Sequence, residues 1–483
     1  MTIASFEPAA LLAVLPEILL LALAGLILTL DMIFRDRRGT YLSWVTSAGL
    51  AAILVVTLVY SRPGEEQLIL GGMVREDWLG FAFKVVLLFA AAVTALLSQG
   101  VEGVRDRGEY YALLVVATLG MNLMATAADL IMLFLAIETT SIPLYVLAGF
   151  LKGDDKSTES GLKYFLFGAL TSAVMLYGFS LLYGFSGETN LYFLAEGMRA
   201  GEVSPWLMAA MAALVLVGFG FKISAAPFHF WAPDVYEGAP TSITAFISTA
   251  SKAAGFAVLV RFMMAAFPAI EAQWSLLLAI LAAGTMTVGN LIALVQSNIK
   301  RLLAFSSISH AGYALIGLVA LNHLGSASLV FYLATYVVTN LAAFGVVIVF
   351  ARTAGSDEIA DYAALSRRSP GLALALLVAL LSLGGMPPLA GFVAKFYVFA
   401  AAVEAGYIWL AFLGVLNSIV GLYYYLTILK VVYLYRSEDE DKPVPVPGVY
   451  AAALGVCALL IVAIGALSGP WLEWALRVTG GLF

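Results

Sequence analysis

Six titratable side chains stand inside long apolar runs of this sequence, where a charged group is energetically costly. A carboxylate or ammonium near the middle of a membrane helix costs roughly 2.5–3.5 kcal/mol on insertion scales, so it rarely persists without a role. Carboxylates, amines and imidazoles all bind and release protons, and a buried row of them is therefore a candidate proton or cation path. The six residues are Glu138, Lys163, Lys222, Lys252, His310 and Lys395.

Glu138 and Lys222 form the pair that we expect to carry the chemistry. Glu138 lies in the middle of LFLAIETTSIPLYVL, and Lys222 precedes Pro227 by five residues in GFGFKISAAPFHFW. A low dielectric favours the neutral amine, whereas a nearby carboxylate favours the ammonium, so such a pair switches protonation when its geometry changes. Two alternatives remain open, namely a protonated Glu138 bonded to a neighbouring helix and a Lys222 that extends to the membrane interface.

The remaining members of the row lie at different depths. Lys252 is about twelve residues into its span, or about 18 Å, which places it near the midplane. His310 is similarly deep, and the unperturbed imidazole pKa near 6.5 suits a proton relay, although a neutral core histidine fits equally well. Lys395 follows the second of two helix breaks described below. Lys163 is only a few residues into its span, so it either reaches the interface or links the row to the cytoplasm.

Five further charged or titratable residues have less specific interpretations. Glu17 lies inside the first span without an assigned role, and His229 either feeds a half-channel or makes a loop hydrogen bond. Lys84, Arg261 and Lys430 lie near span ends, where we interpret them as interface anchors.

Composition predicts the class of protein that must position these residues. Apolar residues make up 62% of the 483 and charged residues only 12%, about half of what a soluble domain carries. Apolar runs of about 20 residues recur along the whole chain, each twice the length of a barrel strand, so we predict an all-α polytopic membrane protein. A single membrane domain, 1–483, would contain about fourteen spans. We place the spans at 8–33, 41–60, 78–99, 109–127, 129–151, 159–185, 204–231, 240–267, 272–296, 299–321, 326–351, 370–403, 405–435 and 447–475.

The distribution of Lys and Arg predicts the orientation of the chain. Loops after odd-numbered spans carry thirteen of these residues and loops after even-numbered spans carry three, which places the first set in the cytoplasm and both termini on the other side. The thirteen are Arg35, Arg37, Arg38, Arg105, Arg107, Lys152, Lys156, Lys300, Arg352, Arg367, Arg368, Arg436 and Lys442, and the three are Arg62, Arg75 and Arg199.

Two spans should be broken helices. The segment 218–231 contains Pro227, and the segment 384–391 reads GGMPPLAG; proline cannot donate a backbone hydrogen bond, and glycine loosens the turn. Broken helices at matching positions of two halves are typical of transport sites. The two spans lie five apart and so run in opposite directions, which predicts inverted repeats at 109–267 and 272–435.

Several chemistries lack their signatures here. The sequence contains no GxGxxG, Walker A, CxxC or HExxH motif. Its one cysteine, Cys457, cannot form an intrachain disulfide, and a cysteine-ligated iron–sulfur cluster needs about four such ligands. No basic aromatic groove for nucleic acid is visible. We therefore expect neither a cofactor nor a metal in this chain.

Four segments carry a specific resemblance that covers about two thirds of the chain. They are similar to the antiporter-like subunits of respiratory complex I and to the large subunits of Mrp-type cation/proton antiporters. Within complex I, FHFWAPDVYEGAP and GLYYYL resemble subunit N of bacterial NADH:quinone oxidoreductase. The segments are ETTSIPLYVLAGF (138–150), GFKISAAPFHFWAPDVYEGAPTSITAFISTASK (220–252), NIKRLLAFSSISHAGY (298–313) and GGMPPLAGFVAKFYVF (384–399).

This resemblance implies a function and a set of partners. The proton path would run through the six titratable residues, with Lys163 near the cytoplasmic end. Quinone reduction in partner subunits would drive the path, and NADH, FMN, iron–sulfur clusters and quinone would belong to those partners. The chain would lie in the bacterial inner membrane beside other antiporter-like subunits. A free-standing or Mrp-type antiporter, and a scaffold with inert ion pairs, remain as alternatives.

Overall fold

The computed structural model describes residues 10–34 and 41–482, and it is almost entirely helical. In this part of the chain, thirteen helices are long and apolar enough to cross a membrane. The predicted all-α, multi-span fold class is therefore confirmed. Arg35, Arg37 and Arg38, which contribute to the predicted orientation, lie outside the described residues.

The regular elements follow one another with short connections. The helices are α1 (Ala10–Ala13), α2 (Leu15–Ile33), α3 (Tyr41–Tyr60), α4 (Trp78–Leu97), α5 (Gly108–Thr126), α6 (Leu130–Ala148), α7 (Asp155–Ser186), α8 (Leu191–Ala200), α9 (Pro205–Ile223), α10 (Trp231–Gly238), α11 (Thr241–Phe246), α12 (Lys252–Ala266), α13 (Glu271–Ala293), α14 (Ile299–Val319), α15 (His323–Ala354), α16 (Leu365–Arg368), α17 (Pro370–Gly384), α18 (Ala390–Glu404), α19 (Ile408–Leu434), α20 (Gly448–Ala466) and α21 (Ser468–Thr479). Strands β1 (Gln67–Ile69) and β2 (Val74–Glu76) form an antiparallel hairpin before α4.

Polar loop residues fix where several helices begin. The carboxylate of Asp77 accepts from the Gly80 amide at 2.8 Å, and that of Asp129 accepts from the Ile131 amide at 2.9 Å. Asn298 caps α14 in the same way. Each cap satisfies amides that have no partner within the helix, which matters most where little water is available.

Both predicted helix breaks are present. Helix α9 ends at Ile223, Ser224 adopts a left-handed conformation with φ 58°, and α10 begins at Trp231. Helix α17 ends before Gly385, whose φ is 84°, and α18 begins at Ala390. A left-handed residue ends a helix because it turns the chain out of the helical path, and glycine adopts this conformation without steric cost.

The last predicted span, 447–475, is wrong at its end. Helix α20 stops at Ala466, and a separate helix, α21, follows. Helix α21 carries Glu473 and Arg477 on its exposed surface. These charges, together with Gly469 and Pro470, explain why the apolar helix does not continue.

The centre of the bundle is formed by α12, α14 and α15, which are almost wholly enclosed by the other helices. Every residue of α14 except Arg301 is buried. Side chains on these three helices therefore meet protein rather than lipid on all sides. This is the setting in which polar groups can be arranged across a membrane.

The two predicted halves share several local features. The amide of Leu130 donates to Thr189 O at 2.8 Å, and the amide of Ile299 donates to Asp357 O at 2.8 Å, each joining a helix start to the loop after the next helix. The helices before those loops, α7 and α15, both contain 32 residues. Each half also contains one of the two breaks.

Candidate functional site

Lys222 lies in the last turn of α9, immediately before the first break. Its side chain is buried, and its ammonium donates a hydrogen bond to Oγ of Ser141 in α6. The Ser141 hydroxyl donates in turn to Ile137 O. On the other side, a Cβ added to Gly255 of α12 would lie 3.2 Å from the lysine Cβ. The missing side chain at Gly255 therefore lets α12 pack against the break.

Glu138 lies one helical turn before Ser141 but does not pair directly with Lys222. Its Oε1 accepts a hydrogen bond from Ser172 of α7 at 2.7 Å, and its side chain is half-buried. No ion pair joins Glu138 to Lys222 in the described part of the chain. Glu138 and Lys222 are thus neighbours without a direct ion pair, and Ser141 is the residue that binds the lysine.

Lys252 is the first residue of α12 and follows a π-helical turn, Ile247–Ser251. Its ammonium is buried and donates to the backbone oxygen of Ser307 at 2.6 Å and to the Ser307 hydroxyl. The hydroxyl of Tyr236, on α10, lies 3.4 Å from the same Ser307 Oγ. Ser307 therefore connects Lys252 to the short helix that follows the first break.

His310 is buried between two tyrosines. Its Nδ1 lies 2.6 Å from the hydroxyl of Tyr332, and its Nε2 lies 3.3 Å from the hydroxyl of Tyr425. The Tyr425 hydroxyl also bonds to Ser306. Because hydroxyl groups both donate and accept, the hydrogen-bonded series Tyr332–His310–Tyr425 can pass a proton through either ring nitrogen.

Lys395 uses the second break directly. Its ammonium donates to Leu383 O at 2.9 Å and reaches Gly384 O at 3.4 Å, and both are carbonyls at the end of α17. The ammonium also lies 4.7 Å from the ring centroid of Tyr313, within cation–π range. The break therefore supplies carbonyl acceptors that an unbroken helix would use itself.

A small cavity lies between His310 and the site of Lys395. Its volume is about 10 Å³, and its lining includes His310, Thr335, Ser382 and Leu383. This is about the space that one water molecule needs, and the walls supply several polar partners. The cavity therefore has the size and the polar lining to hold one water molecule.

Lys163 is not part of this buried row. Its ammonium pairs with Asp234 of α10 at 2.5 Å and with Glu159 at 2.6 Å. These residues belong to a surface group that we call the charge cluster, which borders a cavity of about 160 Å³. The charge cluster consists of Lys156, Glu159, Lys163, Asp234, Glu237 and Arg301.

The carboxylates of α10 in the charge cluster are held in their ionised form. Partial burial by itself raises the pKa of Asp234, but hydrogen bonds from Lys163 and Arg301 outweigh it and lower that pKa below its usual value. The pKa of Glu237 is lowered in the same way, by Lys156 and Arg301 against partial burial. Both groups therefore carry negative charge at neutral pH.

His229 lies in the turn between α9 and α10. Its side chain is buried, its ring stacks on Phe230, and burial lowers its pKa below the usual 6.5. A neutral imidazole is therefore expected at neutral pH. Nothing places it in contact with Lys222.

Two of the three predicted interface anchors are wrong. Arg261 is buried and forms a bidentate pair with Asp77 at 2.6 and 2.9 Å, and Lys84 pairs with Glu17 at 2.9 Å. Asp77, in the loop before α4, supplies the carboxylate for Arg261, and Glu17 of α2 supplies the one for Lys84, which is why neither cation needs the interface. Lys430, by contrast, is exposed near the end of α19.

The Asp77 pair is electrostatically strong. Burial by itself raises the pKa of Asp77, but Arg261, the Gly80 amide and Arg75 together lower it below the usual value. Arg75 lies 3.0 Å from the same carboxylate. Asp77 is therefore an anion shared by two arginines, and its charge does not change near neutral pH.

The partners of the lysines and of His310 were not predicted. Ser141, Ser307, Tyr332 and Tyr425 lie on other helices, between 22 and 115 residues from the side chains that they contact, and none has an unusual local pattern. The π-helical turn before Lys252 was also missed, although π turns often occur at functional sites. The run SSISHAGY, with three serines and a tyrosine around His310, is a local signal that could have indicated a relay.

The three buried lysines share one chemical property. In the described part of the chain, each donates only to hydroxyl or carbonyl oxygens, and none has a carboxylate in direct contact. An ammonium without a counter-charge is costly in the interior, so release of its proton is not strongly opposed. Such groups can therefore gain and lose protons.

Comparison with known proteins identifies the class to which this architecture belongs. Residues 127–421 match the family model described as NADH:quinone oxidoreductase/Mrp antiporter, TM. The match covers more than half of the chain, including both breaks and all six predicted site residues. The chain belongs to this family, and the resemblance drawn from its motifs is confirmed.

The relatives with high identity include several named NADH-quinone oxidoreductase subunit N. The chain is 44% identical to NADH-quinone oxidoreductase subunit N of Moorella thermoacetica, over 95% of this chain and 96% of the relative. It is similar to a chain of respiratory complex I from Thermus thermophilus, with 35% identity, a TM-score of 0.79, and coverage of 95% and 98% of the two chains. A chain of the Mrp complex from Dietzia has the same fold, with a TM-score of 0.82, 21% identity, and 97% of each chain covered.

Proposed function

We propose that this chain is a proton-translocating, antiporter-like membrane subunit of an NADH:quinone oxidoreductase. The observation that carries the proposal is the row of buried lysines on the broken helices and on α12, each bonded to neutral oxygens alone. Its relatives named NADH-quinone oxidoreductase subunit N support the assignment to that complex. Redox chemistry on NADH, FMN, iron–sulfur clusters and quinone would take place in partner subunits.

Protons would move along the row in short steps. Lys222, Lys252 and Lys395 would each take up and release a proton, and His310 would relay between the last two through its tyrosines. A proton arriving at one lysine repels a proton at the next, since few counter-charges screen them in the interior. Lys163 would act at the cytoplasmic end, where the charge cluster contacts water.

Glu138 would respond to a neighbouring subunit. It is half-buried on a face of the bundle where Leu135, Ile142 and Phe165 are exposed. A carboxylate at this depth is costly against lipid, so a protein partner is expected to cover it. A neighbouring antiporter-like subunit could then change the charge at Glu138, which Lys222 senses across one helical turn.

We also propose that 109–267 and 272–435 are inverted repeats. The matched hydrogen bonds at Leu130 and Ile299, the equal lengths of α7 and α15, and one break in each segment support this division. Sites at the interface of such repeats can be opened to one side of the membrane at a time. The proposed location is the bacterial inner membrane, with both termini on the non-cytoplasmic side.

The test is proton pumping by the intact complex. The tagged chain would be purified in mild detergent, and the material would be assayed for NADH-dependent quinone reduction and, in liposomes, for proton uptake. We expect copurification with redox subunits, and loss of pumping in Lys222→Ala and Glu138→Ala without loss of the chain from the complex. Full NADH-driven pumping by either well-assembled variant would refute the proposal.

The second candidate is a free-standing or Mrp-type cation/proton antiporter, which the shared fold with the Dietzia Mrp chain favours. Cation/proton exchange by the isolated chain in liposomes would support it. Purification with redox subunits and no such exchange would exclude it. The same lysine row would serve either activity, so the variants alone do not separate the two.

A further inference from the structure

We infer that Arg301 is a positioning residue for Lys252, acting through the short helix α10. The inference rests on the proposed function, because it assumes that Lys252 carries protons. Arg301 itself contacts no member of the lysine row. Its effect would pass through α10 and the Ser307 hydroxyl.

Helix α10 is held at its outer surface by cations from two directions. Arg301 of α14 donates to Asp234 Oδ1 at 2.8 Å and to Glu237 Oε2 at 2.8 Å. From α7, Lys163 binds the other oxygen of Asp234 and Lys156 binds the other oxygen of Glu237. Two carboxylates three residues apart on α10 are thus shared between two neighbouring helices.

The inner surface of α10 contacts a hydrogen-bond partner of Lys252. Tyr236 lies between the two carboxylates in the sequence, is fully buried, and places its hydroxyl 3.4 Å from Ser307 Oγ. Ser307 accepts from the Lys252 ammonium through its backbone oxygen and its hydroxyl. The position of α10 therefore decides whether the Tyr236 hydroxyl can hold the Ser307 hydroxyl to which Lys252 donates.

Arg301 and Ser307 fix α10 on α14 at two levels. They are six residues apart on one helix, or about 9 Å along its axis. Arg301 is the one residue of α14 that is not buried, so it reaches the charge cluster from an otherwise enclosed helix. Helix α10 follows a break and is only eight residues long. A short segment of this kind depends on such contacts for its position.

The contact with α7 is close as well. Ser160 Oγ donates to Asp234 O at 3.1 Å, and a Cβ added to Gly238 would lie 2.2 Å from Lys156 O. Helix α7 therefore packs tightly against one side of α10, and Arg301 binds the other side. Loss of Arg301 should let α10 shift away from α14 and should separate Tyr236 from Ser307.

The experiment compares single and double variants in the reconstituted complex, measuring protons pumped per NADH oxidised. The pairs of Arg301 are partly exposed, so we expect Arg301→Gln to lower this ratio roughly twofold to fivefold. Tyr236→Phe should lower it by a similar factor. Because both changes act on the same contact, the double variant should be no worse than the more affected single variant.

Two matched substitutions complete the test. Arg301→Lys keeps a cation that can reach one carboxylate, and it should recover most of the ratio. Arg367→Gln removes an exposed arginine that pairs with Glu440 at 2.7 Å, and it should leave the ratio unchanged. Equal effects of Arg301→Gln and Arg367→Gln, or no recovery with lysine, would overturn the inference.

If Arg301→Gln does not assemble, Glu237→Gln replaces it, since Arg301 then keeps Asp234. We expect Glu237→Gln to lower the number of protons pumped per NADH by less than Arg301→Gln does. Adding Tyr236→Phe to Glu237→Gln should again give less than the sum of the two single losses, and additive losses would overturn the inference. Lys252→Ala separates this result from the proposed function. Normal pumping by Lys252→Ala would refute the proposed function. If Lys252→Ala loses pumping and Arg301→Gln pumps fully, only the inference about Arg301 is refuted.

Discussion

Helix α12 carries two buried cations whose surroundings differ completely. Lys252, at its first residue, donates to a backbone carbonyl and a hydroxyl of Ser307. Arg261, nine residues later, makes a bidentate pair with the carboxylate of Asp77. The two lie about 13 Å apart along the same helix.

The difference shows that burial alone does not identify a proton-transfer residue. A guanidinium does not lose its proton in proteins, and a paired carboxylate stabilises its charge further. An amine that meets only neutral oxygens can exist in both protonation states. The counter-charge, rather than the depth, therefore separates the fixed cation of α12 from the one proposed to exchange protons.

The largest expected effect comes from giving Lys252 a counter-charge. Ser307→Asp would place a carboxylate beside the ammonium and would hold it protonated, as Asp77 does for Arg261. We expect NADH-driven pumping in liposomes to fall by at least about a hundredfold, the scale of losing a proton-transfer group. Ser307→Asn is the neutral control of similar shape, and equal losses in both variants would show that space, not charge, is responsible.

The converse change removes the counter-charge of Arg261. Asp77→Asn leaves a buried guanidinium without its anion, which should destabilise the chain by about 3–5 kcal/mol. Thermal unfolding of the purified complex, monitored through the release of this chain, would measure the loss of stability. The double variant Asp77→Asn/Arg261→Leu should recover part of the loss. Full stability of Asp77→Asn would contradict the importance given to this pair.

The same pair predicts a dependence of stability on pH. The pKa of Asp77 is lowered in the folded chain, so its contribution is present above the ordinary aspartate pKa of about 3.9 and is lost as the pH falls through the folded value. Unfolding temperatures between pH 6 and pH 3 should therefore decline more steeply below about pH 4 in the native chain than in Asp77→Asn. Parallel curves would exclude a contribution of Asp77.

The smallest effect is expected at a lysine outside both regions. Lys430 is exposed near the end of α19, and its ammonium lies 5.5 Å from the ring centroid of Tyr435, which is exposed as well. Lys430→Ala should change stability by less than about 0.5 kcal/mol and leave pumping intact. A large loss of pumping there would mean that lysine removal is harmful irrespective of surroundings, and it would weaken the comparison itself.

Much of the fold could be predicted because its signals are local. Apolar runs locate the spans, and Pro227 and the Gly-Gly-Met-Pro-Pro segment at 384–388 locate both breaks. Depth within a span correctly indicated that Lys252 and His310 are buried, and Lys222 and Lys395, singled out by their position beside the breaks, are buried as well. The end of α20 was missed because the apolar residues of α21 continue the hydropathic signal past Gly469.

The partners of the site residues could not be predicted in this way. Ser307 lies 55 residues from Lys252 in the sequence, and Asp77 lies 184 residues from Arg261. Such contacts depend on how helices pack, and serine is too common in membrane helices to mark them. Lys163 was predicted to reach the interface or to link the row to the cytoplasm, but its partner Asp234, 71 residues away in the sequence, could not be predicted either.

The lengths of α7 and α15 bear on where the charge cluster lies relative to the membrane surface. Helices of 32 residues are about 48 Å long, against a hydrocarbon layer of about 30 Å, and a tilt of 40° still leaves about 37 Å. Each helix therefore extends past the hydrocarbon layer, and the charged first turns of α7, with Lys156 and Glu159, are the end of that helix suited to the lipid headgroup region. A surface potential of about −30 mV there concentrates protons about threefold. On the proposed cytoplasmic side, anionic lipid would thus supply this chain with protons at a higher local concentration than the bulk solution provides.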